Sequence, residues 1–146
     1  TKKNFSFWCT WLVGVNALVM LFGLSMTLLP GPIQQFFGLA LYGDTLKLFT
    51  FGAPALDYLT LLHGVLGAAM FGWGIALMSI LWGLFRQGNM AGWWGLTLSI
   101  LAWFIPDTGF SLWTGFWQNA LLNLGFLCLY ALPLAATYRA FRTPAA

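Results

Sequence analysis

An all-α integral membrane protein is predicted from three properties of this 146-residue sequence: a four-helix transmembrane bundle with an interfacial segment between spans 1 and 2. The first property is composition. Hydrophobic residues make up 60% of the chain and charged residues 6%, where a soluble domain carries about 25% charge. A soluble fold of this size leaves a large share of its surface in water and could not hide so much apolar area; in lipid the outer face should be apolar. The second property is the recurrence of apolar runs near the length of about 20 residues that crosses a hydrocarbon core, separated by short breaker-rich turns. The third is the placement of charge, which makes sense only for an even number of crossings. One transmembrane domain, 1–146, accommodates all of it, since no polar stretch exceeds a short loop.

Span 1 is expected at about 7–29. It is too long for the apolar region of a signal peptide, and no small-x-small cleavage site leads into a polar region. Pro30-Gly31-Pro32 ends it, because proline removes a backbone donor and clashes with the preceding turn. Residues 33–56 are apolar but broken by Gly38, Gly43, Gly52 and Pro54, and they carry Asp44 and Lys47 among aromatics. They read as a segment lying on the membrane, with one short helix. Span 2 is expected at about 58–85, long enough to tilt or to extend past the bilayer, and Arg86-Gln87-Gly88-Asn89 forms a polar turn after it. Span 3 is the shortest, at about 90–105, with Pro106-Asp107-Thr108-Gly109 read as a second turn. Span 4 is expected at about 112–138, and Arg139, Arg142 and Pro144 close the chain.

With four spans, Lys2, Lys3, Arg86, Arg139 and Arg142 share one side, while Lys47 lies on the other with Asp44, Asp57 and Asp107. Short loops with that bias follow the positive-inside rule. It places both termini in the cytoplasm and the chain in a bacterial inner membrane. A fifth span at 33–56 would destroy the bias. Of the nine tryptophans, Trp8, Trp11, Trp82, Trp93 and Trp94 fall near the cytoplasmic ends and Trp103, Trp113 and Trp117 near the outer ends. These are the two belts that amphipathic rings prefer.

Small residues recur along span 2 at Gly64, Ala68, Gly72 and Ala76. Positions four apart share a helix face. Small side chains there let a second backbone come close, and in lipid such packing drives association. The row is therefore expected to be a helix-packing face, against another span or a separate subunit.

Polar groups within a bilayer are costly and often functional. His63, Gln118, Asn119 and Asn123 fall in the outer half of the predicted bundle, with Asp57 and Asp107 at its rim; Asn16 sits near the middle of span 1. Asn119 and Asn123 share a face. Three readings of this polar cluster are open. The groups act as interhelical hydrogen-bond glue; or His63, with Asp57 or Asp107, serves as a general acid or base toward a lipophilic substrate, which makes these three the candidate catalytic residues; or His63 is the axial ligand of a tetrapyrrole pigment. Haem held by two histidines does not fit a chain with one.

Much chemistry is missing. There is no glutamate, no DxxxD pair, no GxSxG elbow and no phosphate-binding glycine loop. Cys9 and Cys128 form no CxxC pair and read as small buried hydrophobes, so no metal site is expected. The basic residues form no patch, so no nucleic-acid partner is expected.

The proline that ends span 1, the Gly/Ala-rich span 2 and the short charged turn before span 3 together give a layout that resembles small four-span bacterial membrane proteins of the DoxX-like kind. The resemblance implies the bundle and no activity. On the residues alone, the expected role is a non-enzymatic accessory or assembly subunit of a larger membrane protein complex, or a homo-oligomer, with the lipid bilayer as its surroundings and no cofactor. The alternatives are an enzyme or lipid-binding protein working through the outer polar cluster, and a pigment-binding subunit.

Overall fold

A computed structural model describes residues 2–142. Pro144 lies outside the described residues, as do the side chains of Lys2 and Lys3. Five α-helices follow one another: α1 (Lys2–Leu28), α2 (Pro30–Tyr42), α3 (Ala53–Ile80), α4 (Met90–Trp113) and α5 (Trp117–Arg142). A 3₁₀ turn, Lys47–Phe51, precedes α3, and a π turn, Leu81–Phe85, extends it. Among the described residues there is no strand. Four stretches, Asn4–Leu28, Ala53–Phe85, Met90–Trp113 and Trp117–Arg142, are long and apolar enough to cross a membrane. The fold class is the predicted one: all-α, with four membrane-length helices and a shorter helical segment between the first two.

The helix ends follow from local chemistry. α1 stops at Leu28, and Pro30 opens α2 at a position where its missing N–H would be unpaired in any case. The turn at 86–89 is as expected: Gly88 takes φ +73°, and the Asn89 side chain accepts the Ala91 N–H at 2.9 Å as an N-cap. The second expected turn is displaced. Pro106, Asp107, Thr108 and Gly109 lie inside α4, which runs on to Trp113. The Ser111 hydroxyl donates to the Asp107 carbonyl at 2.8 Å, one turn past the proline, and a membrane helix tolerates such an internal proline. The stop is Gly115, at φ +86°. The Phe116 N–H reaches the Ser111 carbonyl (2.8 Å) and the Gly115 N–H the Leu112 carbonyl (3.2 Å), the paired bonds of a Schellman ending that glycine permits. Span 4 accordingly starts at Trp117, and Leu112 belongs to α4.

The chain divides into two compact units, Leu18–Gly74 and the described part of Thr1–Ala17 with Ile75–Ala146. In the first, α1 and α3 run antiparallel at very short range. A Cβ on Gly67 would collide with the Gly23 carbonyl oxygen and would stand 2.7 Å from Met26 Cβ and 2.8 Å from Thr27 Oγ1. Thr27 Oγ1 donates to the Gly64 carbonyl at 3.1 Å. α2 packs on the same pair: Phe37 and Phe36 meet Phe22 of α1, and buried Gln34 donates to Thr60 Oγ1 of α3 at 2.7 Å. The segment 33–56 thus contains one short helix, docked by its Ile33-Gln34-Phe37-Gly38 side, and no fifth span.

The second unit uses large side chains. Phe85, fully buried, lies between the rings of Phe5 (5.9 Å) and Phe141 (4.8 Å). Two indoles bind backbone carbonyls of α5. Trp93 Nε1 donates to Leu134 O and Trp11 Nε1 to Leu129 O, both at 2.9 Å. The second bond has a clear origin. Pro133 has no N–H, so the Leu129 carbonyl four residues earlier loses its helical donor, and the indole supplies one. Trp11 and Trp93, expected only as belt residues, therefore also tie helices together.

Candidate functional site

The polar cluster centres on Asp107, and α4 and α5 build it. Within α4, Trp103, Asp107 and Ser111 succeed one another at four-residue spacing and share a face. Trp103 Nε1 donates to Asp107 Oδ2 at 3.1 Å, and the Ser111 hydroxyl lies 3.3 Å from Asp107 Oδ1. From α5, the Asn119 amide donates to Asp107 Oδ1 at 3.0 Å and to Ser111 Oγ at 2.8 Å. One turn along, buried Asn123 donates to Thr108 Oγ1 at 3.3 Å.

Both carboxylate oxygens of Asp107 thus have donors from side chains of their own unit. This arrangement lowers the cost of a polar group in an apolar setting and fixes the register of α4 against α5. Of the residues singled out from sequence, Asp107, Asn119 and Asn123 come together here. Trp103, Thr108 and Ser111 complete the cluster and were not singled out. Gln118 is half-buried beside Asn119 on the same helix. Asn16 is buried elsewhere in the unit, where its side-chain oxygen accepts from the Tyr130 hydroxyl at 3.3 Å.

His63 and Asp57 belong to the Leu18–Gly74 unit. The His63 ring lies flat on Phe37, centroids 4.9 Å apart and planes 6° apart. Its Nδ1 is buried and has no hydrogen-bond partner among the described residues. Asp57 is exposed on the first turns of α3. Among the described residues, no group of three or more His, Cys, Asp or Glu could hold a metal ion.

The row on α3 divides. The Gly64 carbonyl takes part in the α1 contact, while Ala68, Gly72 and Ala76 are exposed. Close packing inside the unit falls instead to Gly67, which the row omits. The signal for it was Gly23 and Thr27 on α1, a small-xxx-small pair.

A cavity of about 210 Å³ lies between α4 and α5, walled almost wholly by apolar groups that include Ile100, Leu101, Leu127 and Ala131.

No protein-family model, characterised protein or solved structure matches the chain.

Proposed function

We propose that the protein is a non-enzymatic subunit of a membrane assembly, either an accessory chain of a larger complex or a homo-oligomer. One observation carries the reading: on a membrane-length helix, Ala68 and Gly72, with Ala76 one turn further, stay exposed. The same helix uses Gly67 for a backbone-to-backbone contact within the chain. A Cβ built on Gly72 meets nothing within 4 Å, so a neighbouring helix has room to approach as closely as α1 approaches Gly67. The engagement of Asp107 by Trp103, Ser111 and Asn119 supports the glue reading of the polar cluster over general acid–base chemistry.

The orientation belongs to the same proposal. Four crossings put Arg86, Arg139, Arg142 and the N-terminal lysines on one side, which the positive-inside rule makes cytoplasmic, in a bacterial inner membrane. Accessibility of single cysteines introduced at residues 45 and 88 tests it: residue 45 should react from the outside and residue 88 from the inside.

For the assembly, the protein is purified in mild detergent and its mass measured. Wild type should run as an oligomer or with a stoichiometric partner, Gly72→Ala should do the same, and Gly72→Leu should run alone. A wild-type monomer with no partner at any concentration overturns the proposal.

A further inference from the structure

The α4/α5 cavity takes no part in the proposed role. Trp93, Thr97 and Leu101 of α4 and Leu127, Ala131 and Ala135 of α5 wall it. The Thr97 hydroxyl donates to the Trp93 carbonyl at 2.8 Å and the Trp93 indole to the Leu134 carbonyl at 2.9 Å, so the polar side-chain groups here are already paired. Residues 93–101 and 127–135 each span about 12 Å along their helices, which sets the length of the groove. Its breadth is limited: a helix with side chains is about 10–12 Å across, more than a space of about 210 Å³ and this length admits. A slim alkyl chain fits. Leu101, Ala131 and Ala135 are exposed, so the groove opens sideways.

One end of the groove is cationic. Arg139 lies one turn beyond Ala135, and Arg142 sets its guanidinium 5.6 Å from the centre of the Tyr138 ring. Trp93, the wall residue at that end, packs on the same Tyr138 at 4.9 Å. Both arginines are exposed. Asp107 sits toward the opposite end of α4. An alkyl slot that ends under aromatic rings and arginines complements a molecule with an acyl tail and an anionic head, the chemistry by which basic pockets between membrane helices hold acidic lipids.

We propose that the α4/α5 groove holds one acyl chain of an anionic phospholipid whose phosphate is bound by Arg139 and Arg142. The site selects by head-group charge and fixes the lipid against this helix pair.

The test uses the whole protein in phosphatidylcholine vesicles that contain phosphatidylglycerol or phosphatidylcholine with a photoreactive acyl chain. Phosphatidylglycerol should label α4 and α5 at the groove and phosphatidylcholine much less. Arg139→Gln with Arg142→Gln should weaken the preference by about twenty-fivefold, from about fivefold per arginine. Those two positions are on the exposed last turns of α5, and the helix content of the variant is checked by circular dichroism. Ala131→Phe, which fills the slot, should reduce labelling by both lipids. Excess inorganic phosphate should not displace the label. Equal labelling by the two lipids overturns the proposal. So does undiminished labelling in Ala131→Phe, displacement by phosphate alone, or label found on a second copy of the chain docked over the groove.

Discussion

The α1/α3 contact in one unit and the helix contacts of α5 in the other are made by opposite means. In Leu18–Gly74 the contact is made by absence: Gly23 and Gly67 have no side chains, so two backbones meet, and the Thr27 hydroxyl bonds across to the Gly64 carbonyl. In the unit that contains α4 and α5 the contact is made by reach. Indoles and carboxamides extend from one helix to polar groups on the next, as Trp11 does to Leu129 and Asn119 to Asp107. Lipid is as apolar as leucine, so burying leucine gives little drive to associate. What remains is close van der Waals packing or polar bonding. The comparison predicts different sensitivities: the α1/α3 contact should tolerate no added volume, and the contacts of α5 no lost donor.

The largest effect should come from adding volume at the backbone contact. Gly67→Val places a branched side chain where even a single Cβ collides with the Gly23 carbonyl and crowds Met26 and Thr27. Two of the atoms it meets, the Gly23 carbonyl oxygen and Met26 Cβ, are backbone or stem atoms, which cannot swing aside. Overpacking of this kind should cost about 3 kcal/mol or more, read as a lower midpoint in detergent-denaturation titration. Gly125→Ala in α5 is the control. A Cβ there meets nothing within 4 Å, and relief of glycine's entropy in a helix should stabilise by about 0.5–1 kcal/mol. Equal effects from the two substitutions would erase the distinction drawn between the units.

The next effect should come from removing a donor. Asn119→Leu keeps the branching and heavy-atom count of the side chain but strips Asp107 of its donor from α5 and Ser111 of a partner. Leaving a half-buried carboxylate short of a donor should cost about 1–2 kcal/mol. Asp107→Asn, which keeps an acceptor for Trp103, should cost less. If Asn119→Leu is neutral, the cluster does not lock α4 to α5.

How much of this was legible in the sequence depended on whether a local rule survives in lipid. The four membrane-length helices were legible, because hydropathy and charge placement are properties of whole segments. So was the turn at 86–89, where Gly88 and Asn89 each have one conformational use. Pro106 misled, since a rule learned in water treats an internal proline as a stop, while a membrane helix without water to compete continues through it. That one displacement hid most of the site. With span 3 ended at 105, Trp103, Asp107 and Ser111 do not share a face, and Asp107 was legible only as a rim residue beside Asn119 and Asn123. Gly67 was passed over for a different reason: a fixed four-residue step follows one helix, whereas the contact is set by where the partner's Gly23 and Thr27 fall.

The smallest predicted effect tests the reach mechanism at a single bond. Trp11→Phe keeps most of the ring and removes the N–H that serves the Leu129 carbonyl. Polar contacts between membrane helices average about 0.6 kcal/mol, and this one should cost about that. Pro133→Ala has two opposed consequences: it empties space around a buried residue and returns a backbone N–H to Leu129. Its net effect alone is therefore uninformative, but the double-mutant cycle is not, because it isolates the coupling between the two positions. With alanine at 133 the Leu129 carbonyl has its helical donor, so Trp11→Phe should cost close to nothing. If Trp11→Phe costs the same with either residue at 133, the indole is merely packed beside α5, and the proline did not create the need for it.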